Sequence, residues 1–283
     1  MRSITYIDGA WHEGNPPLLG PMTHATWMAS AVFDGARAFA GVAPDLDRHC
    51  ARLIRSAEIM GFAAPVTAER VLELAWAGIG RFPPGAELYI RPLIYTEEGF
   101  VTAVPESARF ILTVFEEPMP AREGLVTCLS RYRRPAPDMA PTEAKASCLY
   151  PNVARALREV RPKGFHTAVM LDANGNVAEF ATANLFAVKD GAVLTPAPNG
   201  TFLDGITRRR VIALLRADGR EVVETTLRFD DLLAADELFA TGNYSKVLPV
   251  VKLEDRDFQR GPVSLRAREL YFDWAMTAGK PPG

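Results

Sequence analysis

Apolar and polar residues alternate over Ile4 to Ile7 and again over Ala10 to His12, on either side of Asp8-Gly9. A period of two around an Asp-Gly pair predicts a β-hairpin. Aromatic and small residues alternate in the second half of Thr26 to Phe39, which predicts a strand over Val32-Phe-Asp-Gly-Ala-Arg-Ala-Phe39. The period then lengthens. Asp45 to His49 leads into apolar positions Leu53, Ile54, Ala57 and Met60 and closes at Gly61. Thr67 to Ile79 follows, with Thr67 placed as an N-cap and Glu69 close behind. Both stretches read as helices. Glu87 to Tyr95 and Ala108 to Glu116 return to strand character.

Glu117 to Gly124 is rich in proline and charge and breaks the pattern. Beyond it, strands are expected at Leu125 to Leu129, His166 to Asp172, Val177 to Thr182, Leu185 to Val188 and Ala192 to Thr195. Asn174-Gly175 and Asp190-Gly191 mark hairpin turns between them. Helices are expected after Pro151, over Thr207 to Ala217, over Phe229 to Ala235 and over Val263 to Thr277. Glu221 to Leu227, Glu237 to Thr241 and Lys246 to Val251 read as strands, the last two around a polar turn, Gly242-Asn-Tyr-Ser245. The pattern predicts a mixed α/β protein of two domains. A smaller N-terminal one covers 1–118, a linker 119–124, and a larger C-terminal one 125–283.

Composition narrows the function classes. A net charge of −2 over 283 residues leaves no basic footprint for nucleic acid. No apolar run approaches the roughly 18 residues a membrane helix needs, and the N-terminus lacks a signal-peptide core. Three irregularly spaced cysteines and four scattered histidines suggest free thiols in a cytoplasmic protein, with no metal site.

The candidate chemistry centres on Lys145, one of only six lysines beside 26 arginines. It stands between a proline-rich run, Arg134 to Pro141, and the helix after Pro151, with no acidic residue at the i+4 position. A lysine after a loop is commonly a solvated charge. In an apolar setting it can instead be a nucleophile that forms a Schiff base. Three features join it. Gly205-Ile206-Thr207 opens a helix, where free N–H groups and the helix dipole suit a phosphate. Glu179 shares a strand face with Val177 and Ala181 and there needs a cationic partner. Arg52 lies beside Leu53 and can reach inward, whereas Arg48 and Arg55 read as solvated. A lysine, a phosphate nest, a carboxylate and an arginine are what pyridoxal 5′-phosphate (PLP) requires.

The same residues carry a family likeness. Val32-Phe-Asp-Gly-Ala-Arg-Ala-Phe, Arg48-His-Cys-Ala-Arg-Leu, Tyr89-Ile-Arg-Pro-Leu, the Pro141-x-x-Ala-Lys145-x-x-x-x-Tyr150-x-Asn run, Glu179-x-x-x-x-Asn184-Leu-Phe, Leu203-x-Gly-Ile-Thr-Arg and Ala235-Asp-Glu-Leu-Phe-x-Thr-Gly occur in that order. Together they resemble the class IV (fold type IV) PLP-dependent aminotransferases, most closely their branched-chain branch. The resemblance implies that Lys145 holds PLP and shuttles a proton, that Glu179 pairs with the ring nitrogen and that Tyr150 bonds the ring oxygen O3′. It also implies that Arg52, Ile206 and Thr207 hold the phosphate, with Asn184, Gly205, Gly242 and Asn243 completing the cofactor site. Phe33, Arg37, Tyr89, Arg91, Asn243 and Tyr244 would then face the substrate, with Phe33 and Arg37 near the pocket mouth. The implied partners are an amino donor and a 2-oxo acid acceptor, and the implied assembly is a homodimer.

Two departures stand out. Gly242-Asn243-Tyr244-Ser245 replaces the branch's usual Gly-Thr-Ala, and Asp34 stands where glutamate is more usual. The altered turn motivates an alternative substrate, a D-amino acid or an (R)-amine, or β-elimination of the aminodeoxychorismate lyase kind. A reading from another class is a non-catalytic binder of a phosphorylated metabolite that uses the nest alone.

Overall fold

The computed structural model describes residues 1–120 and 123–280, which pack as two compact units. The first holds Met1–Met119, Glu143–Leu149 and the tail from Ala275; the second holds Pro120–Thr142 and Tyr150–Trp274. Of the expected linker, Ala121 and Arg122 lie outside the described residues. The division differs from the expected 1–118 and 125–283 at 143–149 and at the tail. Backbone bonding explains both. The Lys145 N–H donates to Ser56 Oγ at 3.1 Å, and the Lys145 carbonyl accepts from Phe33 N–H at 3.1 Å. The Ala43 N–H donates to the Gly279 carbonyl at 2.6 Å.

In the first unit, β1 (Ser3–Ile7) and β2 (Ala10–Glu13) form the expected hairpin. The further elements are α1 (His24–Met28), β3 (Ala31–Phe33), β4 (Ala36–Ala38), α2 (Leu46–Ile59), α3 (Ala68–Ile79), β5 (Leu88–Thr96) and β6 (Ala108–Glu116). Among the described residues the sheet runs β2-β1-β6-β5-β3, with β4 also on β5, and every pairing is antiparallel. The single strand expected over Val32 to Phe39 is broken at Asp34-Gly35. Asp34 turns its carboxylate inward, and Gly35 backs onto Tyr89, where a Cβ would stand 2.1 Å from the hydroxyl oxygen. Helix α1 is too short to show a period and went unexpected.

Strand alternation decides the faces of β5. Leu88, Ile90 and Ile94 are buried under α2 and α3, against Leu53, Ala57, Val71 and Leu74. Each such leucine or isoleucine stabilises the fold by about 1.5–3 kcal/mol. Tyr89, Arg91 and Leu93 take the opposite face and are left for other work.

The second unit contains β7 (Leu125–Leu129), α4 (Tyr150–Val160), β8 (Thr167–Leu171), β9 (Val177–Phe180), β10 (Asn184–Lys189), β11 (Ala192–Pro196), α5 (Ile206–Ala217), β12 (Val222–Thr225), α6 (Phe229–Leu233), β13 (Glu237–Gly242), β14 (Lys246–Leu253), β15 (Arg256–Asp257) and α7 (Pro262–Ala278). Among the described residues the sheet order is β12-β11-β10-β13-β14-β7-β8-β9, with β15 on β14. The β7–β8 and β11–β12 pairs are parallel, and each is joined through a helix, α4 and α5, because parallel strands cannot share a tight turn. At the β10–β11 turn, Asp190 and Gly191 both have positive φ (49° and 83°), as a two-residue hairpin turn demands. Phe186 and Phe239 face each other across β10 and β13 with rings stacked 4.8 Å apart in the core. No helix among the described residues is long and apolar enough to cross a membrane.

Candidate active site

The first unit contributes Lys145 on a segment whose backbone is pinned on both sides. Ala144 and Ala146 are buried, and Val32 bridges to Ala146 beside the Phe33–Lys145 bond. The lysine side chain is half-buried, and its Nζ lies 5.0 Å from the centre of the Phe33 ring. Phe33, Arg91 and Leu93 line a cavity of about 480 Å³ with Leu18, Leu19 and Ile111. Its wall is apolar apart from a few polar groups, of which the Arg91 guanidinium carries the charge. Arg91 also sits over the Phe115 ring at 5.4 Å, and Tyr89 stacks on that same ring.

Arg52 reaches inward as its place beside Leu53 suggested. It donates to Asp34 twice, from Nε to Oδ2 at 2.7 Å and from Nη2 to Oδ1 at 2.9 Å. His49 Nδ1 meets Asp34 Oδ1 at 2.7 Å, and Gly35 N–H donates to the same oxygen. Asp34 is fully enclosed. Burial alone would raise its pKa, but Arg52 and His49 together hold it well below the usual carboxylate range. An ionised carboxylate only accepts, so His49 Nδ1 carries its proton. The aspartate thus fixes the guanidinium to which the resemblance assigns phosphate binding. Arg37, expected at a pocket mouth, is wholly enclosed and donates to the Glu117 carbonyl.

The second unit gathers the remaining predicted residues. Glu179 on β9 is buried, with Arg134 Nε 3.2 Å from Oε1 and Asn184 Nδ2 donating to Oε2 at 3.4 Å. Asn184 also donates to the Leu203 carbonyl at 2.9 Å, which ties β10 to the loop before α5. That helix begins with Gly205 as N-cap and no side-chain cap, so the N–H groups of Ile206 and Thr207 at its start are open to an anion. Asp204 is drawn aside by the buried Arg208, whose Nη1 donates to it at 2.8 Å. Tyr150 opens α4 and is half-buried. In the turn before β14, Asn243 Nδ2 is a buried donor with no partner among the described residues. Gly242, Tyr244 and Ser245 line a second cavity of about 330 Å³ with Phe180, Thr182 and Ala183.

Gly205 is required by space. A Cβ there would stand 2.0 Å from Asn184 Oδ1, and Asn184 is held at its other end by Leu203 and Glu179. Gly205→Ala is therefore expected to displace Asn184 and cost about 1–3 kcal/mol. A urea melt beside the wild type checks this.

Sequence reasoning missed Arg134, Lys246 and the His49 contact. In the sequence Arg134 marks only the start of a proline-rich run, and nothing local ties it to Glu179. The donor set fits PLP. The second unit offers a buried carboxylate balanced by arginine, an open helix start and an orphaned amide donor, and the first unit, described by itself, offers an amine.

Comparison with known proteins agrees with that fit. Residues 31–253 match the family model of class IV amino-transferases. A probable branched-chain-amino-acid aminotransferase of Aquifex aeolicus is 30% identical over 89% of this chain and 86% of its own length. The branched-chain-amino-acid aminotransferase of Pseudomonas aeruginosa is 30% identical over 98% and 94%. An aminotransferase structure from Brucella abortus, bound to PLP, superposes with a TM-score of 0.96 at 48% identity, covering 98% of this chain and 100% of that one. The branched-chain aminotransferase of Thermoproteus uzoniensis with norvaline gives 0.91 at 28% identity over 98% and 95%.

Proposed function

The chain belongs to the class IV aminotransferases, and on that premise we propose that it is a PLP-dependent enzyme moving an amino group from a hydrophobic L-amino acid to 2-oxoglutarate by a ping-pong route. When bound, the cofactor supplies an electron sink for the substrate Cα. Lys145 Nζ would take the Cα proton and return it, and Glu179 would accept from the ring N–H. Tyr150 would hold the ring oxygen. Arg52, Ile206, Thr207 and Asn243 would hold the phosphate, with Gly205 and Gly242 leaving room for it and Asn184 fixing Glu179. A homodimer of the cytoplasm is part of this reading, supported by the family likeness and by three free cysteines.

The observation that carries the substrate class is the first cavity. Apolar Phe33, Leu93 and Ile111 beside Arg91 suit a molecule with a hydrocarbon side chain and a carboxylate. Tyr89 shares the Arg91 face of β5, and Tyr244 would add bulk on the carboxylate side. The purified protein is expected to show a visible-edge absorbance band that L-leucine bleaches and 2-oxoglutarate restores. Bleaching by D-alanine or (R)-1-phenylethylamine alone would move the assignment to a D-amino acid or amine transaminase. A colourless protein that gains no band with added PLP would leave a phosphometabolite binder.

A further inference from the structure

The most enclosed lysine among the described residues is Lys246, with no exposed surface. It opens β14 directly after the turn, paired across it with Gly242. Its φ is +61°, a left-handed conformation that a lysine adopts only where its surroundings enforce it. They do. Arg268 on α7 donates to the carbonyls on both sides, at Ser245 (3.4 Å) and Val247 (2.6 Å). The Lys246 ammonium lies 5.9 Å from the centre of the Tyr271 ring and donates to Asn243 Oδ1 at 2.7 Å.

An ammonium offers only donors, so the Asn243 amide must present its oxygen to Lys246. The Nδ2 end is thereby turned the other way. It is buried and bonds to no group of the described chain. A buried amide donor left unsatisfied is costly, so the arrangement is relieved when an acceptor arrives. We propose, resting on the cofactor assignment above, that Lys246 is a positioning residue for the cofactor phosphate. Its ammonium locks the Asn243 amide with Nδ2 toward a phosphate oxygen and sets a fixed positive charge one amide behind that bond. Asn243 touches the anion, and Lys246 acts through Asn243.

The test is a double-mutant cycle read by PLP binding to the apoprotein, followed by absorbance and fluorescence titration. Lys246→Met is expected to raise the PLP Kd roughly tenfold or more, the scale of one hydrogen bond to a charged acceptor. In an Asn243→Ala background the same change is expected to alter Kd by less than about twofold, because the bond it orients is gone. Lys246→Gln keeps a donor for the amide oxygen and is expected to retain most of the affinity. It is also the variant to read if burying methionine disturbs folding, which far-UV circular dichroism of each apoprotein reports. An equal loss in both backgrounds, or an unchanged Kd in Lys246→Met, overturns the proposal while leaving the enzyme a PLP protein. Wild type that binds no PLP overturns the cofactor assignment itself, and this proposal with it.

Discussion

Lys145→Met is expected to lower transamination by about 10³-fold or more while the chain folds as before. The rate should fall because a single amine is asked both to bond the cofactor and to carry the Cα proton, and methionine can do neither. The fold should persist because the segment is held by its backbone, through Ser56 Oγ and Phe33 N–H, and by the buried methyl groups of Ala144 and Ala146. Methionine matches the length of the lysine stem. It forfeits the contact over Phe33, worth about 0.5–1 kcal/mol. A melting temperature within about 4 °C of wild type is expected. Mass spectrometry after borohydride reduction gives the decisive reading. The wild-type chain should gain the mass of the cofactor and the variant should not. Full activity in the variant would remove Lys145 from the chemistry.

Asp34→Asn should be the most destabilising conservative change in the first unit, at about 3–5 kcal/mol. The side chain is fully enclosed and accepts two bonds from Arg52 and one from His49. Asparagine keeps the shape but removes the charge and turns an amide N–H₂ against a guanidinium. The pH dependence follows from the depressed pKa of Asp34. A carboxyl that is more acidic folded than unfolded stabilises the protein fully above its unfolded value, about 3.9. That stability is lost as pH falls from there toward the folded value. Urea melts should therefore show the full gap between wild type and variant at pH 7 and a smaller one at pH 3. A gap that widened in acid would mean that Asp34 is not the anion of this cluster.

Much of the fold was legible as period. The hairpin at Asp8-Gly9, the helices over Leu53 and Val71 and the Asp190-Gly191 turn are local features, written in neighbouring residues. The need of Glu179 for a cationic partner was also legible, and Arg134 meets it, whereas its bond from Asn184 was not read from the sequence. Long-range bonds were not legible. Lys145 reads as part of the second domain, because the partner of its N–H, Ser56, is 89 residues away. The break at Asp34-Gly35 is invisible to alternation, because it is caused by Arg52 and His49 from α2. Lys246 reads in the sequence only as the first residue of a strand after a polar turn. Arg268 and Tyr271 from α7 help to enclose it, and they lie far along the chain.

The bond between Ala43 and Gly279 bears on how the protein is made. Every strand of the first unit has been synthesised once Glu116 is joined. Ser56 and Phe33 must still wait for Lys145, and Ala43 for Gly279. At a ribosomal pace of about 5–20 residues per second, that second wait is on the order of ten to thirty seconds. The nascent sheet lacks its lysine segment for the first part of that interval and its closing tail for all of it. A chain halted before its final turn of helix would carry every proposed catalytic side chain and still leave the Ala43 N–H without its native acceptor.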